Sequence, residues 1–258
     1  MKITVLAENT TADGRLGKEH GLSLYIEGCG QRILFDMGQS DLFARNAQAL
    51  GVDLAAVDVA VLSHGHYDHG GGLARFLALN DHAPVWVSRR AFEPHYHGAE
   101  RYIGLDPALA ASPRLRAAGE ETAIAPGLTL YACNGRARRY DLGSFGLTVR
   151  QGDAFLPDDF AHEHYLLLEE GGRRVLVSGC SHKGVLNIMD WFAPDVLVGG
   201  FHFSGLPLDD TLAGYARILA GYDTDYYTCH CTGRAQYGFM AGQMPRLHYI
   251  ATGQTIEL

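Results

Sequence analysis

"VLSHGHYDHGGGL", Val61 to Leu73, decides how the rest of the chain is read. His64, His66, Asp68 and His69 fall within six consecutive residues, the apolar run "VDVAVLSH" leads into them, and Gly70 to Gly72 follow. The run has the length and composition of a strand buried on both faces, and "GGLARFLALN" beyond it has helical periodicity, so the cluster sits in a strand-to-helix loop. Alternate residues of an extended segment point the same way, which lets His64 and His66 face one cation while Gly65 leaves room between them. Asp68 and His69, on the turn into the helix, then face a second cation beside the first. The three glycines are expected to supply positive φ and close backbone approach where the loop folds round the site. Imidazole together with carboxylate suits zinc, iron or manganese rather than calcium. A solvated polar loop accounts for one isolated histidine, but not for H-x-H-x-D-H between a buried strand and a helix.

Around this motif the composition is that of a globular enzyme. A hydrophobic content of 47% in 258 residues is enough for a substantial core, and no linker or composition shift divides the chain, so one domain over residues 1–258 is expected. The formal net charge is −8 and basic clusters such as Arg136 to Arg139 are short, which argues against a nucleic-acid surface while leaving room for a small anionic substrate. "MKITVLAENT" lacks the apolar segment of a signal peptide, and no stretch reaches the roughly 18 apolar residues of a membrane helix. A soluble cytoplasmic protein with a small-molecule substrate, and neither nucleic acid nor membrane as partner, is expected; oligomeric state is left open. The five cysteines (Cys29, Cys133, Cys180, Cys229, Cys231) are scattered, as reduced thiols are, and "CHC" at Cys229 to Cys231 lacks the second cysteine pair of a zinc knuckle. Of the 13 histidines, many end apolar runs.

"KITVLAE" and "LSLYIEGCGQRILFDMG" read as an opening antiparallel layer with a turn at Gly28 to Gly30, followed by a helix over Asp41 to Leu50. "PVWVS" is the strand after the motif helix. From Arg90 to Glu121 the pattern weakens around several prolines, and this segment reads as an irregular insertion that covers a site. Strands resume in "GLTLYAC" and "FGLTVRQG", then in "HYLLLEEGGRRVLVSGCSH", a hairpin turning at Gly171 and Gly172. "GVLNIMDWF", Leu208 to Gly221 and "RAQYGFMAGQ" read as helices alternating with the strands "DVLVGGFHF" and "DYYTCHCTG", and "LHYIATGQTIEL" closes the chain as strand. Two β layers facing each other with helices outside, an α/β four-layer αββα sandwich, fit this order.

H-x-H-x-D-H after an apolar strand, in a chain of this length, resembles the metallo-β-lactamase superfamily. More narrowly, "LSHGHYDHGGGL", "GCSHKGVLNIM", "GGFHF" and "HCTG" resemble its dihydropterin ribofuranosyl-aminobenzene phosphate synthase-like branch, over nearly the whole chain. The resemblance implies the αββα fold and a centre of one or two divalent ions, zinc first with manganese or iron as alternatives, between the edges of the two sheets.

One loop cannot complete two coordination shells, so other ligands must arrive from distant strand ends. His182 in "VLVSGCSHKG" and His230 in "YYTCHCTG" follow buried strands, His202 ends the strand "DVLVGGF", and His230 fits the superfamily's final histidine. Superfamily members carry a bridging aspartate in a Gly-Asp pair where this chain has Gly179-Cys180. Cys180 is then either a thiolate at the bridge or an inert buried thiol with the bridge missing. The superfamily's middle histidine aligns near His162 or His164, but the branch pattern favours His182, and the other two read as strand surface residues. Asp36 in "ILFDMG" matches an aspartate that hydrogen-bonds a metal-binding histidine and fixes its tautomer, with a plain turn residue as the alternative. Ser63 and Tyr67 flank the cluster as substrate contacts, unless Ser63 only caps the loop.

A cation with an open position lowers the pKa of the water it binds from about 15.7 toward about 7 and polarises the bond under attack. The leading expectation is therefore a metal-dependent hydrolase in which His64, His66 and His182 hold one ion and Asp68, His69 and His230 the other. Asp68 doubles as a catalytic proton acceptor, and His202 is either a ligand or a catalytic group that polarises or protonates the substrate. A transferase or synthase acting on a phosphorylated pterin-type precursor ranks second, since no dedicated phosphate cradle is present; Arg89, Arg90, Arg136, Arg138 and Arg139 read as solvated surface residues. A non-catalytic metal or ligand sensor ranks third.

Overall fold

The computed structural model describes residues 1–11 and 13–258. In chain order its strands are β1 (Lys2–Ala7), β2 (Ser23–Gly28), β3 (Gln31–Phe35), β4 (Val59–Val61), β5 (Val85–Ser88), β6 (His95–His97), β7 (Arg101–Tyr102), β8 (Leu115–Ala118) and β9 (Glu121–Ala125). They continue with β10 (Leu128–Tyr131), β11 (Leu147–Gln151), β12 (Ala154–Pro157), β13 (Tyr165–Glu170), β14 (Arg173–Val177), β15 (Val196–Gly199), β16 (Asp225–Thr228), β17 (Leu247–Tyr249) and β18 (Thr255–Glu257). The helices are α1 (Leu42–Leu50), α2 (Tyr67–Gly70), α3 (Leu73–Leu79), α4 (Val185–Phe192), α5 (Asp210–Ala220) and α6 (Arg234–Ala241).

One seven-stranded sheet runs β18-β1-β2-β3-β4-β5-β8 and the other β17-β16-β15-β14-β13-β10-β9. Each is antiparallel on one side and parallel on the other, the parallel halves being β3-β4-β5-β8 and β14-β15-β16-β17. The inner faces bury Ile3, Val5, Ile33 and Phe35 of the first sheet against Leu128, Leu166, Val175 and Val198 of the second. The outer face of the first sheet packs on α1 and α3 through Leu34, Phe43, Ala47 and Phe76, and that of the second on α4 and α5 through Leu176, Ile188 and Leu212. This is the four-layer αββα sandwich expected from the periodicity. The β13–β14 hairpin turns where expected, with Gly171 and Gly172 at φ of 62° and 79°, the pair of positive values that a two-residue turn matching the strand twist requires.

Two expectations are corrected. The segment from Arg90 to Glu121 is not irregular: β6 and β7 pair with β11 and β12 into a small sheet of order β12-β11-β6-β7, and β8 extends the edge of the first large sheet. "FGLTVRQG" accordingly joins the small sheet rather than either main layer. The closing stretch is also not one strand, because β17 runs parallel to β16 in the second sheet and β18 antiparallel to β1 in the first.

The parallel halves place the C-terminal ends of β3, β4, β14, β15 and β16 at one edge of the sandwich, and loops bearing Asp36, the H-x-H-x-D-H motif, His182, His202 and His230 leave from those ends. β13 is antiparallel to β14, with Leu166 opposite Val177, so the segment entering β13 arrives at the same edge. The integrity of that edge depends on the inter-sheet core. Leu166→Ala, at a fully buried position, is expected to cost about 2–5 kcal/mol, measured as a lower denaturant midpoint at unchanged slope.

Candidate metal centre

Beyond β4 the backbone bends at His64 and Gly65, is extended at His66, and then makes the single turn of α2, which carries Asp68 and His69. A Cβ at Gly65 would run into the Ala91 carbonyl, and one at Gly72 into the Met37 carbonyl, so both glycines serve close backbone approach. Positive φ is not used in the glycine run: Gly71 and Gly72 have φ of −62° and −79°. That part of the sequence reading is corrected by the helical turn, which carries the chain round without a left-handed residue.

The motif meets side chains of the second sheet. His69 Nε2 lies 3.2 Å from His230 Nε2, 3.1 Å from Cys180 Sγ and 3.9 Å from Asp68 Oδ2, while Asp68 Oδ2 lies 3.4 Å from His230 Nε2. Ligands roughly 2.0–2.3 Å from one tetrahedral ion sit roughly 3.3–3.8 Å apart, so this spacing suits a shared cation. Beside it His64, His66 and His182 bring one donor each within 4.8 Å of one another, and Cys180 groups with His64 and His69 between the two sets.

The outward ring nitrogens fix the orientation of most of these imidazoles. His69 Nδ1 donates to Asp36 Oδ2 at 2.6 Å, His182 Nδ1 to Glu163 Oε1 at 3.1 Å, and His230 Nδ1 to Asn9 Oδ1 at 2.8 Å. Ser63 Oγ donates to Asp36 Oδ2 and accepts from His64 Nδ1 at 2.8 Å. Each of these four rings thus turns Nε2 inward, and His64 Nε2 is buried without a hydrogen-bond partner. Burial, reinforced by neighbouring imidazoles, holds His64 and His66 well below the usual histidine range, which keeps them neutral and able to ligate. His69 is the contrast: burial works against its charge, but the carboxylates of Asp36 and Asp68 outweigh it and push the ring up to about 9. A site that draws in positive charge this strongly, with donors already aimed inward, fits a divalent cation.

His202 lies outside both sets. Its ring is 4.4 Å from those of His182 and Phe145, and it groups with Cys180 and Cys231 on the cavity wall. His162 and His164 are not surface residues, since each is 1% exposed. His164 Nε2 donates to the Leu62 carbonyl at 2.6 Å, and His162 Nδ1 accepts from Gly65 N at 2.9 Å. The sequence reading missed His20, whose Nε2 is 3.2 Å from Asp68 Oδ2, together with Asn9, Glu8 and Glu163. Glu8 Oε1 accepts from His230 N at 2.8 Å and Glu163 Oε1 from His182 N at 2.7 Å, which pins the backbone of both loops.

The centre opens into a cavity of about 440 Å³ walled by Tyr67, His97, Arg101, Ile103, Phe145 and Leu206. Of the five arginines that the sequence offered, none lines it; Arg90 pairs with Glu93 and Asp159, and Arg138 donates to the Asp159 carbonyl. Arg101 lines it instead, donating to the Tyr67 hydroxyl at 2.9 Å.

A family model described as the metallo-beta-lactamase superfamily matches residues 16–223. The uncharacterized protein MJ0448 of Methanocaldococcus jannaschii is 30% identical over 241 residues, covering 90% of each chain. The 7,8-dihydropterin-6-methyl-4-(beta-D-ribofuranosyl)-aminobenzene-5'-phosphate synthase of the same organism is 23% identical, covering 93% of this chain and 90% of its own. Among crystal structures, Tm1679, a metal-dependent hydrolase of the beta-lactamase superfamily, matches with a TM-score of 0.86 at 28% identity over 100% of this chain and 99% of its own.

Because Asp36 holds both His69 and Ser63, Asp36→Asn is expected to weaken metal affinity roughly 10- to 100-fold, read by competition against a chelator of known affinity.

Proposed function

The chain belongs to the metallo-β-lactamase superfamily, and from that premise we propose that it is a metal-dependent hydrolase directing water at a small-molecule ester, phosphoester or lactone-type substrate. The observation that carries this reading is the pair of adjoining donor sets at the floor of one cavity. His64, His66 and His182 would hold one ion, and Asp68, His69 and His230 the other, with Cys180 at the position between them. Divalent ions bound there, zinc first with manganese or iron as alternatives, supply Lewis acidity and bring the pKa of water toward about 7.

The chain's own groups then orient substrate and move protons. Burial works against the Asp68 carboxylate, yet His69, His20 and His230 hold it well below the usual range, so it relays a proton rather than keeping it. His20, half-exposed and 3.2 Å away, carries that proton toward solvent. His202 stands on the cavity wall beside His182, as the group that polarises the substrate or protonates the leaving group. Arg101 is the one lysine or arginine among the lining residues and suits a substrate bearing an anionic group.

A synthase reading stays second: a relative named as a synthase aligns with 93% of the chain, and Arg101 would equally meet a phosphate. No helix among the described residues is long and apolar enough to cross a membrane. A cytoplasmic single domain acting on small molecules, without a nucleic-acid or membrane partner, belongs to the same proposal.

His66→Ala should remove bound metal and turnover together, measured by elemental analysis beside a panel of esters, phosphodiesters and lactones; retained metal with full activity would overturn the ligand assignment. Product formation with water as the sole co-substrate is expected, whereas a persistent need for a second organic substrate would favour the synthase. Arg101→Ala should raise KM for anionic substrates about fivefold at little change in kcat, the size of about 1 kcal/mol for an exposed charge, and an unchanged KM would remove Arg101 from substrate binding.

A further inference from the structure

The cavity has a polar mouth as well as a polar floor, and one face of the small sheet runs from the one to the other. Alternate residues of a strand share a face, so His95 and His97 of β6 point the same way. The register sets Arg101 of β7 opposite His97 on one flank and Leu147 of β11 opposite it on the other, which makes the three side chains neighbours in one row. Ile103, whose N–H donates to the His95 carbonyl at 2.9 Å, lies two residues past Arg101 on the same face. Exposure rises along that face. His95, Ile103 and Leu147 are 0%, 7% and 8% exposed, whereas His97 and Arg101 are open to solvent. The His95 ring is 5.5 Å from that of His66, so the deep end of the face adjoins the metal donors and the shallow end forms the mouth. From His95 to His97 is a step of about 7 Å along the strand, the span of one aromatic ring with its substituents.

The mouth carries fixed donors. Arg101 Nη2 donates to the Tyr67 hydroxyl at 2.9 Å, and its guanidinium carbon lies 5.9 Å from the centre of the Tyr67 ring. The hydroxyl accepts that bond, so its own proton is left to give. Tyr67 stands between His66 and Asp68 in the sequence, which ties this pair to the loop of the metal centre. Arg32, Arg90 and Arg174 face carboxylates, whereas among the described residues Arg101 faces none. A guanidinium, a phenol proton and an imidazole converging on one opening match the oxygens of a carboxylate or phosphate. Between mouth and floor the wall is apolar: Ile103 and Leu147 pack with Tyr67 and Phe145, and the Phe145 ring reaches within 4.4 Å of the His202 ring. The cavity, about 440 Å³, stands near the lower end of the roughly 300–1,000 Å³ range of small-molecule sites, which suits a single-ring compound rather than a polymer.

We infer that Arg101, His97 and the Tyr67 hydroxyl form an anion grip at the mouth, and that the substrate is a single-ring compound bearing a carboxylate or phosphate at the end remote from the bond that reacts. The anionic group is a handle and takes no part in the chemistry. It stays at the mouth, the ring lies along Ile103, Leu147 and Phe145, and the reacting bond reaches the floor. The small sheet, which supplies no donor to either metal set, is then the part of the fold that chooses the substrate. This assignment rests on the hydrolase reading for what happens at the floor, but the grip itself binds with or without turnover.

Isothermal titration of the whole chain with three unreactive probes, para-toluate, para-tolylphosphonate and the neutral para-toluamide, tests the grip without turnover. At least one anion is expected to bind about tenfold tighter than the amide. Tighter toluate assigns a carboxylate handle, and tighter phosphonate a phosphate. Arg101→Gln, at an exposed position that leaves the packing intact, should remove about fivefold of that preference, and Tyr67→Phe, which keeps the ring, a similar share. An amide that binds as tightly as both anions overturns the grip. So does an anion preference that survives Arg101→Gln, because the anion then sits on the metals. Esters, phosphoesters and lactones offered in para-carboxyl and para-carbamoyl forms separate this inference from the reading it rests on. Turnover without preference for the charged form, beside titrations unmoved by Arg101→Gln, would sink the grip and leave the hydrolase standing. An anion preference lost in Arg101→Gln, with none of the compounds hydrolysed, would sustain the grip and sink the hydrolase.

Discussion

The carboxylate of Asp36, with no surface exposed, accepts from His69 Nδ1 at 2.6 Å, Ser63 N at 2.7 Å and Ser63 Oγ at 2.7 Å. The rest of the centre depends on this one buried charge. It sets the ring of His69 directly and that of His64 through Ser63, and it fastens the end of β3 to the loop after β4. The device recurs at the loops of the second sheet. Glu163 accepts from the backbone of His182 and Lys183, and Glu8 from the backbone of His230 and the Tyr249 hydroxyl. Burying a carboxylate is costly unless donors surround it, and here the donors that surround it belong to the loops that must be held still.

The loops are held in conformations they would not otherwise choose. Asp36, Ser181, His202 and His230 have φ of 58°, 59°, 55° and 49°, in the left-handed region that costs a residue with a Cβ roughly 1–2 kcal/mol. All four lie past the C-terminal ends of strands of the two large sheets, β3, β14, β15 and β16. The rigid inter-sheet core anchors the strand, the strained residue turns the chain sharply, and the side chain is delivered to the cavity edge instead of continuing along the sheet.

The motif, the strand order and the layer arrangement were legible because each leaves a local trace: alternation, continuous apolar runs, or ligand types packed into one loop. His182 and His230 were legible for a related reason, as polar residues that end apolar runs. His20 and Asn9 were not, since the loop between β1 and β2 has no periodicity and they reach Asp68 and His230 only through tertiary folding. His162 and His164 misled because an alternating "HEHY" reads as strand, whereas the strand begins at Tyr165 and the residues before it turn inward. The small sheet was hidden because its strands are two to five residues long and its two short hairpins, β6–β7 and β11–β12, join through a pairing far along the chain, His97 opposite Leu147. Cys180 was recognisable as a departure, and its place 3.1 Å from His69 Nε2 gives that departure a location.

His64, His66 and His69 belong to the first sheet's loops and His182 and His230 to the second's, so a cation gripped by both groups rivets one half of the sandwich to the other. Such a rivet stabilises only the assembled state, by about 2.7 kcal/mol when free ion stands at a hundred times its dissociation constant. With such ions bound, the lifetime of the folded chain would follow the mineral supply around it: scarcity would loosen the joint between the halves, expose their inner faces to proteases, and turn a shortage of ion into a shortage of protein.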